Sequence, residues 1–195
     1  MEGAPCGRVV VVSGPSGAGK TTLVARLFQT CPLPLVRSVS ATTRSPRAAE
    51  ADGVDYHFVG PERFQALREQ GQFLECFEVF GQGYWYGTLW SEVRAGVAAG
   101  KWVVLNIDVH GAAAVMEQFE NAITVFVCPS SMGELRRRLE LRGTDAPGEI
   151  ERRLQRAQYE LSRAHQYRYR VVNDDLDRAV NEICTIFTEE KKRND

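Results

Sequence analysis

Gly14-Pro-Ser-Gly-Ala-Gly19-Lys20-Thr21 matches G-x-x-x-x-G-K-[ST], a spacing suited to holding phosphate. Glycines let successive backbone N–H groups wrap phosphate oxygens, and a helix opening at the end of the loop adds its dipole. The expected cradle is Gly14, Pro15, Ser16, Gly17, Ala18 and Gly19, continuing through Lys20, Thr21 and Thr22. Lys20 should reach the β- and γ-phosphates of a nucleoside triphosphate, and the Thr21 hydroxyl should coordinate Mg²⁺. A second constellation follows. Arg44 and Arg47 stand three apart around Ser45-Pro46, and two guanidinium forks with a nearby tyrosine could hold a dianionic phosphomonoester.

The charge pattern agrees with an anionic ligand. Of 24 cationic residues only Lys20, Lys101, Lys191 and Lys192 are lysines, and arginine's planar fork suits phosphate oxygens. Ten arginines against five acids lie between Arg136 and Arg170. The net charge of −1 nevertheless excludes a strongly polyanion-seeking protein, so no nucleic-acid partner is expected. No apolar run approaches a membrane span and the N-terminus lacks secretory features, so no membrane association and a cytoplasmic location are expected. The five cysteines have neither metal-ligand nor redox spacing and read as small buried hydrophobes.

These residues need a scaffold. Arg8–Ser13 reads as a strand buried on both faces, the Trp102-Val-Val-Leu stretch within 101–108 and Ile123–Cys128 as further buried strands, and Arg170–Val172 as a fourth, short strand. Helices are expected over 21–29, 61–70, 91–99, 112–118, 132–141 and 150–165, with a last one burying Val180, Ile183, Cys184 and Phe187. Phe73–Phe80 reads as a strand and Gly81–Gly87 as an aromatic, glycine-rich turn. Strands alternating with helices imply an α/β fold, a mostly parallel sheet with helices on both faces. Residues 38–90 and 130–160 fit that sheet poorly and read as insertions. The expected organisation is a phosphate-loop core of 1–37, 91–129 and 161–195, a small mixed α+β insertion at 38–90, and a helical lid at 130–160.

Taken in order, the phosphate loop, Ser38-Val-Ser-Ala-Thr-Thr-Arg44-Ser-Pro-Arg47-Ala-Ala-Glu50, Gly53-Val-Asp-Tyr56-His-Phe58, Phe73-Leu-Glu75, Tyr86-Gly-Thr88, Asn106-Ile-Asp108 and Arg142-Gly-Thr144 closely resemble the guanylate kinases. The resemblance spans about Arg8 to Asp177, and implies one guanylate-kinase-like domain over about 6–188. It implies a Mg²⁺-dependent transfer of the ATP γ-phosphate to GMP, with ATP and GMP as partners. It assigns the GMP phosphate to Arg44, Arg47, Tyr56 and Tyr86, and guanine to Ser40, Glu75, Thr88 and Asp108. Guanine's adjacent N1–H and N2–H₂ donors make a carboxylate its natural partner. Lid arginines Arg138, Arg142 and Arg153 are expected to join Lys20 in neutralising the transferring phosphoryl group. Arg142 and Asn173 are expected at adenine.

Three departures stand out. Asn106 replaces the first acid of the family's usual Asp-Ile-Asp, so any contact from it to Mg²⁺ is expected through water, with Asp108 on the same strand face able to supply charge. His110 stands where a glutamine is usual, and reads as a solvated helix start. The 81–87 loop is longer than usual, which leaves open whether Tyr84 or Tyr86 reaches the GMP phosphate. Two other functions stay in view: a non-catalytic guanylate-kinase-like domain that binds phosphorylated protein segments, and a phosphate-loop kinase of another acceptor such as a sugar phosphate. Oligomeric state is left undecided.

Overall fold

The computed structural model describes residues 7–79, 83–141 and 147–193. In chain order the elements are β1 (Arg8–Ser13), α1 (Lys20–Thr30), β2 (Leu35–Arg37), β3 (Ala41–Thr42), β4 (His57–Phe58), α2 (Pro61–Glu69), β5 (Phe73–Val79), β6 (Tyr84–Leu89) and α3 (Trp90–Ala98). There follow β7 (Trp102–Asn106), α4 (Val109–Gln118), β8 (Ile123–Cys128), α5 (Met132–Leu141), α6 (Pro147–Ser162), a 3₁₀ turn at Ala164–Gln166, β9 (Tyr169–Val172) and α7 (Leu176–Lys192). Five strands form one sheet in the order β2-β7-β1-β8-β9, and every pairing described in it is parallel. A four-stranded mixed sheet has the order β4-β3-β6-β5. The fold is therefore α/β, as the alternation of strands and helices predicts.

The chain forms two compact units. One holds the residues up to Val9, Pro34–Leu105 and His110–Ala122. Here β5 and β6 pair antiparallel, with a register irregularity between Phe73 and Glu75. Phe64 of α2 stacks on Phe73 at 4.4 Å and is almost fully buried. The 81–87 stretch departs from the expected turn: Tyr84-Trp-Tyr-Gly belongs to β6, and residues 80–82 lie outside the described ones. Aromatic side chains favour a pleated, half-buried surface. Gly87 is there for close approach rather than for a turn, since a Cβ would meet Phe73 Cδ1 at 2.7 Å and Cys76 Cβ at 2.9 Å. β2 was not expected as a strand; it follows Pro34 directly and pairs with β7.

The other unit holds Val10–Leu33, Asn106–Val109 and the chain from Ile123. The unbroken Val run of β1 is buried, as is all of β8, and β1 pairs with β8 from Val10↔Ile123 to Ser13↔Phe126. Apolar stripes on α5 and α6 join in one cluster of Leu135, Leu139, Ile150, Leu154 and Ala157. α6 starts at Pro147 and stops at Ser162, three residues earlier at each end than its apolar stripe suggests. Proline is well tolerated in a first turn, where its missing N–H has no intrahelical role. α7 is capped by Asp175, whose side chain accepts from the Arg178 N–H at 2.8 Å. Among the described cysteines only Cys128 is buried, so the expectation of buried hydrophobes fails for Cys31, Cys76 and Cys184, which are half-buried.

Candidate nucleotide sites

The loop between β1 and α1 carries the first site. Lys20 opens α1 and its Nζ folds back to donate to the carbonyls of Gly14 at 2.5 Å and Pro15 at 3.0 Å. Gly19 is left-handed (φ 85°), and a Cβ there would meet Asn173 Nδ2 at 2.5 Å. Only glycine satisfies both demands. Asn173 is buried, and its Nδ2 donates to the Ala18 carbonyl at 2.8 Å. Its position thus ties β9's end to the loop, a role the sequence does not announce. Ser16, Gly17, Gly19, Lys20, Thr21 and Thr22 line a pocket of about 140 Å³.

The arginines expected near this loop are distributed unevenly. Arg138 Nη2 donates to the Asn173 carbonyl at 2.8 Å, and its Nε donates to Glu134 at 2.7 Å. Glu134 also holds Arg137, and the two guanidinium groups, Arg137 first, bring its carboxyl down to about 2. Arg153 lies half-buried on α6. Arg142 lies outside the described residues, as do Gly143 and Thr144. Arg136, Arg137 and Arg152 are exposed and pair with Glu151, Glu134 and Glu149, while Arg163 is half-buried and donates to the Tyr159 hydroxyl at 3.0 Å.

Asn106 ends β7 and is exposed, while Asp108 lies two residues further on, beyond the strand. The expectation that both share one strand face is therefore corrected: the ladder ends too early for strand alternation to govern Asp108. Asp108 instead meets Arg156 of α6 at 3.2 Å. Arg156 was not expected in any site. Its signal was its spacing, one helical turn beyond Arg153 and one before Glu160.

The second constellation lies wholly in the other unit. Arg44 Nε donates to the Tyr86 hydroxyl at 2.8 Å, Nη2 donates to Glu50 at 2.9 Å, and Nη1 donates to the Ser45 carbonyl at 2.6 Å. Its guanidinium sits 5.5 Å from the Tyr56 ring centroid. Burial works against the charge of Arg44, but the bonds to Tyr86 and Glu50 hold its pKa above the ordinary value. Glu50, which sequence reasoning did not single out, also accepts from the Arg47 backbone N–H at 2.8 Å. That bond and the Arg44 guanidinium keep its carboxyl below the usual range. Tyr56 meets Tyr86 edge-on at 5.5 Å, and burial pushes its hydroxyl pKa up. Tyr86 thus belongs to the arginine cluster, whereas Tyr84 is 40% exposed. Arg47 is exposed.

On the same sheet Glu75 and Thr88 are paired across β5 and β6. Glu75 is only 8% exposed, and Thr88 is fully buried. Ser40 is half-buried just before β3, where its carbonyl accepts from His57 N–H at 2.9 Å. His110 is exposed on α4, with its ring 5.9 Å from Phe77. Among the described residues there is no cluster of three His, Cys, Asp or Glu able to hold a metal, and no helix is long and apolar enough to cross a membrane.

Comparison with known proteins supplies the family. The guanylate kinase family profile matches residues 6–190. A guanylate kinase of Rhodopirellula baltica is 47% identical over 192 residues, covering 98% of this chain and 92% of its own. One of Alkalilimnicola ehrlichii is 49% identical over 187 residues, with 96% and 91% covered. The crystal structure of guanylate kinase from Anaplasma phagocytophilum superposes with a TM-score of 0.79 at 33% identity, covering 96% of this chain and 88% of that one.

Proposed function

The chain belongs to the guanylate kinase family, and we infer that it is a guanylate kinase, transferring the γ-phosphate of ATP to GMP to give ADP and GDP. The observation that carries this reading is the buried Glu75 carboxylate, held by Thr88 in the same unit as the Arg44–Tyr86 cluster. A carboxylate suits a base with adjacent N–H donors, and an arginine with tyrosines suits the phosphate of the same nucleotide.

On this reading Ser40, Glu75, Thr88 and Asp108 read guanine, while Arg44, Arg47, Tyr56 and Tyr86 hold the GMP phosphate. The loop of residues 14–22 binds the ATP phosphates through its backbone N–H groups. Lys20 exchanges the Gly14 and Pro15 carbonyls for phosphate oxygens. Together with Arg138, Arg142 and Arg153 it neutralises charge at the transferring group, and Arg142 and Asn173 meet adenine. Phosphoryl transfer asks little covalent chemistry of a protein, so in-line positioning and cations at the equatorial oxygens supply most of the acceleration.

Mg²⁺ fits this loop, because the exposed Thr21 hydroxyl shares one pocket with Lys20. Thr21 would hold the ion and Asn106 a water bound to it. When bound, Mg²⁺ draws negative charge from the phosphate oxygens. A cytoplasmic setting belongs to the same proposal, as the compartment in which free nucleotides are phosphorylated.

A coupled assay of ADP release with GMP, AMP, CMP, UMP or a sugar phosphate as acceptor tests the reading. Turnover with GMP well above that with every other acceptor is expected. No turnover with any acceptor, despite bound ATP, would leave only a binding domain.

A further inference from the structure

Asp108 sits in the loop that follows β7, where neither a strand ladder nor a helix fixes the direction of its side chain. Arg156 of α6 reaches it: Nη2 lies 3.2 Å from Asp108 Oδ2, and Nε of the same guanidinium donates to Glu160 Oε1 at 3.1 Å. Glu160 is almost fully buried, with a side chain only 4% exposed against 38% for Arg156. Burying a carboxylate costs free energy unless it is paired. The helix alone does not account for this pair, since an arginine preceding a glutamate by four residues is the weaker orientation. Glu160 is therefore better understood as an anchor: it fixes Nε of the planar guanidinium so that Nη2 of the same rigid group faces Asp108. Tyr167 closes the same region. Its hydroxyl is pushed up to about 12, first by burial and then by the negative charges of Asp108 and Glu160.

We propose that Arg156, anchored by Glu160, is a positioning residue that holds the Asp108 carboxylate in one orientation for the acceptor nucleotide. This rests on the reading in which Asp108 serves the GMP site. Arginine's rigid planar fork is what lets one side chain span two carboxylates.

Steady-state kinetics on the full chain tests this, with four proteins beside the unaltered one. Arg156→Met/Glu160→Gln removes the clamp without leaving a buried charge unpaired. Asp108→Asn removes the group it holds. The triple variant combines the two, and Arg156→Lys keeps the charge but loses the fork. The clamp variant is expected to raise the KM for GMP about tenfold or more, the scale of one charge-assisted hydrogen bond, with the KM for ATP within about twofold. Asp108→Asn should do the same, and the triple variant should be no worse than Asp108→Asn alone, because Arg156 acts only through that carboxylate. Arg156→Lys should recover part of the loss. An unchanged KM for GMP in the folded clamp variant overturns the proposal, and so do fully multiplicative losses in the triple variant. If Asp108→Asn moves the KM for ATP instead, the guanine assignment of Asp108 fails, while non-additivity in that constant still supports the clamp. If Asp108→Asn moves no constant, both are overturned.

Discussion

Thr88 donates its hydroxyl to Glu75 Oε1 at 2.5 Å, across directly paired positions of β5 and β6. The relationship does two things. It satisfies one oxygen of a buried carboxylate, and it fixes the plane of the group. A site built on such buried polar groups rejects ligands that cannot match them, because the groups are then left unpaired. Glu75→Gln keeps an acceptor for Thr88 but turns an amide N–H₂ toward donors of the base. The KM for GMP should rise about 10- to 150-fold, as expected for loss of a hydrogen bond to a charged group, with little change in the KM for ATP. Equal effects on both substrates would remove Glu75 from the base pocket.

Lys20 spends its hydrogen bonds on the carbonyls of Gly14 and Pro15, which positions an ammonium inside the loop that receives phosphate. Lys20→Ala should leave a folded protein, as judged by circular dichroism, with turnover lower by ~100-fold or more, since one such contact to developing charge is worth about 3 kcal/mol. Retention of a tenth of the turnover would reject this role.

Asn173 poses a sharper choice, because its amide already serves the Ala18 carbonyl. If its main work is to brace the loop, Asn173→Ala leaves a buried acceptor unpaired, at a cost of about 1–3 kcal/mol. The KM for ATP and that for GTP as donor should then rise in parallel, and the melting temperature should fall. A loss confined to ATP, with GTP unaffected, would assign the side chain to adenine recognition instead.

Much of this was legible from the chain itself. The limits of β1, β8 and α5 follow from unbroken apolar runs or a clear helical stripe, and the structure gives the same residues. The phosphate loop was legible because its function depends on consecutive residues. What escaped depends on residues far apart in sequence. Gly87 reads as a turn signal until Phe73 and Cys76 are packed against it. Arg156 reads as a solvated helix residue until Asp108, 48 positions away, is brought to it. Glu50 looks like one more loop acid until both of its oxygens are seen to bind, one to the Arg44 side chain and one to the Arg47 backbone. In each case local propensity is weak and tertiary contact decides.

Asn106 offers the last test. It is exposed at the end of β7, where the resemblance to the guanylate kinases leads to the expectation of an acid that helps hold Mg²⁺ or its waters. The amide keeps a carbonyl acceptor but lacks the charge, and a neutral acceptor bonds a metal-bound water less strongly than a carboxylate does. Asp108 is poorly placed to compensate, since it already faces Arg156 at 3.2 Å. The enzyme should therefore be active with a raised Mg²⁺ requirement. Asn106→Asp should lower the Mg²⁺ concentration for half-maximal turnover and leave the KM for GMP nearly unchanged, as read from Mg²⁺ titrations at saturating nucleotides. An unchanged titration would place Asn106 outside the metal's surroundings. A shift seen only in the KM for GMP would move it to the acceptor pocket, where an added negative charge would act on the base or its phosphate instead.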